Sequence, residues 1–185
     1  GHTLIVLSDR GVNADWAPLP SLLATAAVHH HLVREGLRTE VGIIVESGEP
    51  RDVSQFALLI GYGAGTVNPY LAFETLGALV RAVRLPNHVD EATAEIKFIK
   101  AVEKGLLKVI SKMGISTIQS YCGAQVFEAI GLGPKLVERY FTGTASRIGG
   151  IEIAQLAEET LRRHSTAFKR PLPAERLELG GNYHY

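Results

Sequence analysis

Short apolar runs that close on small polar residues and then give way to helix-patterned stretches recur five times along the chain. Thr3 to Leu7 is continuous, apolar and too short for a helix, and it closes on Ser8, Asp9 and Arg10. Glu40 to Val45 behaves the same way and closes on Glu46, Ser47 and Gly48. Runs of this length and content read as strands buried on both faces of a parallel sheet. Between them, Ser21 is placed to cap a helix over Leu22 to Glu35, rich in alanine and leucine and stopped by Gly36. After Pro50 and Asp52, the apolar positions Val53, Phe56, Ala57 and Ile60 predict a helix over Val53 to Tyr62, broken by Gly61, Gly63 and Gly65.

The second half repeats the theme less regularly. Thr66 to Pro69 is a third strand only if neighbours hold it, because Pro69 cannot donate to a ladder. Tyr70 to Val83 reads as a helix, Pro86 marks a connection, and Asp90 opens the longest helical stretch, which runs to Lys112 and ends at Gly114. Ser116 to Ser120 is expected as a fourth strand, followed by helices over Gly123 to Ile130 and Pro134 to Tyr140. Phe141 to Ile148 reads as a final strand or loop, and Ile153 to His164 as the last helix.

Strand followed by helix, four or five times with right-handed crossovers, predicts an α/β fold. It is either a partial (βα) barrel or an open parallel sheet of about four to five strands with flanking helices, since a closed eight-unit barrel needs about 250 residues. Residues 1–170 are expected to form this unit. Residues 171–185, with Pro171, Pro173, Gly180 and Gly181, read as a linker leading away. An incomplete barrel leaves an edge to cover, so apolar surface should be exposed where the chain is cut from a larger body.

Composition narrows the function classes. Of 185 residues, 46% are hydrophobic and 21% charged, ordinary for a globular unit with a substantial core. Lysine plus arginine equals aspartate plus glutamate, 19 each, which gives no general attraction for nucleic acid or an anionic membrane. No apolar run reaches the roughly 18 residues of a membrane span. Cys122 is the only cysteine, which excludes an internal disulfide and fits a reducing compartment, with the cytoplasm as the default.

Several residue groups invite a chemical reading. His29, His30 and His31 are consecutive, so on a helix they point about 100° apart and cannot converge on one ion; packing or exposure is the favoured role. Cys122 is expected near a helix N-terminus, where a thiolate is favoured, but Tyr121, Gly123 and Ala124 offer it no base. The loop from Thr142 to Gly150 has hydroxyls, glycines and Arg147 ahead of a helix and could cradle a phosphate, although it matches neither the dinucleotide nor the P-loop spacing. Gly61, Gly63 and Gly65 follow a helix rather than a strand, so termination and close packing explain them better than a Rossmann turn. Asp9, Arg10, Glu46, Asn68, Ser120 and Arg147 could share one rim at the strand ends, with Arg10 and Glu46 as an ion pair. In a barrel enzyme that rim is catalytic. The favoured reading is a surface whose polar groups pair with each other and with neighbouring domains.

Three long stretches, Leu4 to Leu76 (beginning LIVLSDRGVNADWAPLPSLLATAAVHHH), Lys100 to Leu132 (KAVEKGLLKVISKMGISTIQSYCGAQVFEAIGL) and Tyr140 to Ile151 (YFTGTASRIGGI), closely resemble the large subunit of glutamate synthase. The match looks like the C-terminal part of that enzyme's central domain. The resemblance implies a multidomain oxidoreductase that hydrolyses glutamine, passes ammonia through an internal tunnel and reduces 2-iminoglutarate at FMN. It further implies an iron–sulfur cluster and electrons from NADPH or ferredoxin, in the cytoplasm or, for a plant type, the plastid stroma. The family's glutaminase nucleophile is an N-terminal cysteine, where this sequence has Gly1, and its cluster takes several cysteines, where this sequence has Cys122 alone. The resemblance therefore implies no catalytic residue, metal or cofactor held by this segment. It implies partners in the same parent chain, a glutaminase domain and an FMN-binding domain toward which residues 171–185 would lead. Its implied role is to hold those domains together and help wall the ammonia path. The reading from another class is a free-standing flavin- or phosphate-binding barrel relative with its active site on the strand-end rim.

Overall fold

A three-stranded parallel sheet forms the first half: β1 (Leu4–Ser8), β2 (Gly42–Glu46) and β3 (Thr66–Asn68), in that spatial order. The computed structural model describes residues 2–86 and 89–168; the expected linker at 171–185 lies outside the described residues. The register pairs Ser8 with Glu46 and Glu46 with Asn68, so the three carboxyl ends finish on one row. Connecting β1 to β2 is α1 (Ser21–Arg34), and α2 (Val53–Gly61) connects β2 to β3. Both lie on the same face, where Leu32 of α1 and Leu59 of α2 bury against Ile43 and Val45. Right-handed crossovers that step one strand at a time in one direction require this single-sided arrangement.

Local signals set most of these boundaries. Asp52 accepts from the Ser54 and Gln55 N–H groups, and Gln55 returns a bond to the Asp52 N–H, a complete capping box for α2. Asp90 caps α4 (Glu91–Lys112) through the Thr93 N–H at 2.8 Å. Ser21 differs from expectation. Pro20 holds the cap position, while Ser21, the first helical residue, donates both its N–H (2.7 Å) and its hydroxyl (2.5 Å) to Glu49. The carboxylate that follows β2 thus does the work expected of the serine side chain. The helix α3 (Tyr70–Arg81) packs on α4, with the Phe98 ring edge-on to Phe73 and Phe56 at 6.0 and 6.2 Å.

Residues 116–132 correct the sequence reading. The expected strand at Ser116 to Ser120 is replaced by a single helical turn, α5 (Ile118–Tyr121), capped by the Thr117 hydroxyl. The expected helix at Gly123 to Ile130 gives way to β4 (Glu128–Leu132). Short apolar runs do not distinguish helix from strand by periodicity. The deciding partner is β5 (Ala145–Ile151), parallel to β4 in a separate two-stranded sheet, with α6 (Pro134–Tyr140) between them. Among the described residues, five strands therefore form two parallel sheets rather than one.

A second core joins the halves. Leu23 and Ala26 of α1 meet Ala129, Leu136, Val137 and Phe141. Tyr121 is fully buried, and its hydroxyl donates to the Ala57 carbonyl of α2 at 3.0 Å. The final helix, α7 (Ile153–Ala167), has no fully buried residue and reaches the β1–α1 loop through His164, whose Nε2 lies 2.7 Å from the Asn13 carbonyl. Leu4 (63% exposed), Val6 (58%), Ile130 (69%) and Ile148 (61%) leave the opposite faces of both sheets open.

Candidate functional site on the strand-end rim

The aligned ends of β1, β2 and β3 bring four of the six expected rim residues together. At the centre is the Glu46 carboxylate. It accepts from the Ser8 hydroxyl at 2.7 Å, from Arg10 Nε at 2.8 Å and from the Asn68 amide at 3.3 Å. The serine bond, then the guanidinium, hold Glu46 below the usual carboxylate range. Arg10 extends further, with Nη1 3.3 Å from Glu74 and its guanidinium 4.1 Å above the Tyr70 ring.

Asp9 closes the other side. Its carboxylate accepts from the buried Ser47 hydroxyl at 2.6 Å and from the Gly48 N–H at 3.1 Å. The Tyr70 hydroxyl is pushed up to about 12, mainly by burial and then by the adjacent Asp9 carboxylate. A Cβ on Gly48 would lie 3.2 Å from that hydroxyl, so glycine lets the β2 loop pass under α3. Beside this network, between β1 and the start of α1, lies an open groove of about 430 Å³ walled by Val12, Trp16 and Leu19.

The other two candidates sit elsewhere. Ser120 is on α5, where its hydroxyl takes a bond from Thr117, and Arg147 is on β5, paired with Glu128 at 2.9 Å. Sequence reasoning missed Ser8, Ser47, Tyr70 and Glu74 as members of the network. Ser8 and Ser47 were legible in the polar clusters; Tyr70 and Glu74 share the i, i+4 face of α3.

The remaining groups fall into structural places. His29 Nδ1 accepts from Arg38 Nε at 2.9 Å, while Arg38 also donates to the Val41 and Gly63 carbonyls. Burial first, and then the Arg38 charge, lower His29 to about 4. Cys122 caps the C-terminus of α5 rather than preceding a helix, which corrects the expected dipole effect; burial pushes its thiol up. The expected phosphate-type loop, Thr142 to Gly150, is largely strand β5, which leads into α7 through its N-cap residue Glu152; the Glu152 carboxylate turns back to the start of α6, accepting from the Leu136 N–H at 2.9 Å and the Lys135 N–H at 3.4 Å. Gly63, at φ 114°, ends α2, and a Cβ on Gly61 would run into Phe127.

What results is an α/β segment with two small parallel sheets, α1 and α2 on one face of the first and a paired polar rim at its strand ends. Residues 1–133 match the family model described as "Glutamate synthase central domain". Over its whole length the chain is 49% identical to the "Glutamate synthase [NADPH] large chain" of Bacillus subtilis (strain 168), covering 12% of that protein. It is 43% identical to the "Glutamate synthase [NADH]" of Schizosaccharomyces pombe, covering 9%, and 43% identical to the "Ferredoxin-dependent glutamate synthase" of Pyropia yezoensis, covering 13%. The chain belongs to the glutamate synthase central-domain family, and it spans 9–13% of the length of these relatives.

Proposed function

We propose that the chain is a segment of a glutamate synthase large chain, an oxidoreductase that turns glutamine, 2-oxoglutarate and reductant into two glutamates. Within it the segment serves as a non-catalytic scaffold between the glutaminase and FMN-binding domains and helps to wall the ammonia path. The observation that carries this reading is the saturation of the rim: Asp9, Arg10, Glu46 and Asn68 spend their bonds on one another and on adjacent loops. A site built to act on a ligand keeps convergent polar groups free to reach it.

The cofactors implied for the parent enzyme do not fit the donors here. An iron–sulfur cluster takes several thiolates, and the sequence has Cys122 alone. The helix that follows the Thr142–Gly150 loop starts at the N-cap residue Glu152, a carboxylate that would repel a phosphate there. The same two features give the free-standing flavin or phosphate reading no support. None of the described helices is long and apolar enough to cross a membrane. Relatives include bacterial and chloroplastic enzymes, which supports a cytoplasmic or stromal location.

Arg10→Met in the parent polypeptide tests the scaffold role. Glutaminase activity and flavin reduction, measured separately, should each stay within about tenfold, while the unfolding temperature drops and ammonia leaks to solvent. Removing a group that stabilises a transition state costs about 10²–10³-fold; a loss of that size in either half-reaction, in a folded variant, would overturn the reading.

A further inference from the structure

The free edge of β1 is built for one more strand. The Gly42 N–H donates to the Thr3 carbonyl at 2.8 Å and the Asp9 N–H donates to the Glu46 carbonyl at 3.2 Å, so the odd-numbered residues of this strand face β2. The same alternation holds on β2, where Ile43 and Ser47 turn to the β3 side: Gly65 N–H donates to the Ile43 carbonyl, and Ser47 N–H to the Asn68 carbonyl. Period-two alternation then points the N–H and C=O groups of Leu4, Val6 and Ser8 away from the sheet. Among the described residues β1 has no second neighbour. Leu4 and Val6 are also the residues whose apolar side chains stand exposed, on the face that α1 and α2 leave open.

An apolar edge strand without charge, proline or bulge invites pairing. Parallel sheets are normally covered on both faces, and three strands with one bare face fall short of that. Two features decide the occupant. The order β1-β2-β3 advances one place per βα unit, so a unit of the same hand arriving at β1 would set its strand beside this edge. The relatives align with the entire chain yet devote only 9–13% of their length to it, which leaves ample polypeptide to supply the strand.

We infer that, in the longer polypeptide, an extended apolar segment preceding β1 adds in parallel to this edge and turns β1 into an interior strand. The inference rests on the reading of the chain as part of a glutamate synthase large chain.

Residue-resolved hydrogen exchange on the full parent polypeptide reads the edge directly. The Leu4, Val6 and Ser8 amides should exchange at least about 100-fold more slowly than exposed amides, matching the Ile5 and Leu7 amides that face β2. Fast exchange at the even positions beside slow exchange at the odd ones would overturn the inference. Protection that disappears on dilution would also overturn it, by assigning the edge to a second copy. Val6→Pro gives an independent readout, since proline is tolerated where an N–H faces solvent and not where it feeds a ladder. In the parent it should lower the unfolding temperature as far as Leu7→Pro does; a Val6→Pro parent as stable as the unaltered one refutes the added strand. Glutamate formation by the same preparation separates the two failures. Unprotected even amides in an active parent sink only the strand, and protected amides in a parent without that activity sink only the enzyme reading.

Discussion

Val83→Gly should stabilise this chain, although valine to glycine usually does the reverse. Four helices end in the same hydrogen-bonded loop. After α1, α2, α3 and α4, the first residue past the cap donates to the carbonyl three back and the next donates to the carbonyl five back: Gly36 and Leu37, Gly63 and Ala64, Val83 and Arg84, Gly114 and Ile115. This geometry requires a left-handed residue at the first of the two positions, and glycine normally supplies it. Three of the four do have glycine, with φ of 70° at Gly36, 114° at Gly63 and 72° at Gly114; α3 has Val83 at φ 54°.

For a residue with a Cβ that conformation costs about 1–2 kcal/mol, and β-branching makes valine a poor occupant. The added chain entropy of glycine in the unfolded state offsets about 0.5–1 kcal/mol. Val83 is 71% exposed, so little buried contact is lost. The net gain is about 0.5–1 kcal/mol, which in a chain of this size raises the unfolding midpoint by about 1–4 °C. Val83→Asn keeps a side chain while tolerating the same φ and should gain part of this. Gly114→Val, at a position with nothing within 4 Å of a built Cβ, should lose a comparable amount. Thermal denaturation of the three variants decides the matter. A lower midpoint for Val83→Gly, or no loss for Gly114→Val, would show that the strain reasoning is wrong.

Two further outcomes follow from buried groups. His29 is lowered to about 4 by burial and by Arg38, while an unfolded histidine titrates near 6.5. Between those values the unfolded chain binds a proton that the folded chain refuses, so the stability associated with neutral His29 is present above about pH 6.5 and declines as the pH falls toward 4. Unfolding midpoints between pH 7.5 and 4.5 should fall, and His29→Gln, which can still accept from Arg38, should flatten the profile; an unchanged slope would exclude His29 as its source. Tyr121→Phe removes only the bond to the Ala57 carbonyl and should cost about 1 kcal/mol, whereas Tyr121→Ala empties a fully buried site and should cost about 3–5 kcal/mol. Chemical denaturation giving equal losses for the two would mean that the ring's packing contributes nothing.

Residue pattern alone determined the first 112 residues well. Thr3 to Leu7 and Glu40 to Val45 read as strands of a parallel sheet, Asp52 and Asp90 announced their helices, and Gly36, Gly63 and Gly114 stopped theirs, because capping and left-handed backbone are decided within a few residues of chain. The pairing of Arg10 with Glu46 was legible as well, since both follow strand ends that a parallel register must align. Tertiary structure decided what depends on distant partners. Glu128 to Leu132 became a strand because Ala145 to Ile151 lies beside it, and Ser116 to Ser120 gave up its strand to a turn of helix that buries Tyr121 against α2. Glu49 and Glu152 took over helix starts from across the fold, and Tyr70 and Glu74 joined the rim only when α3 folded back over β1 and β2. Local propensity differs among such alternatives by less than the burial and hydrogen bonding gained from a remote neighbour, so the neighbour chooses.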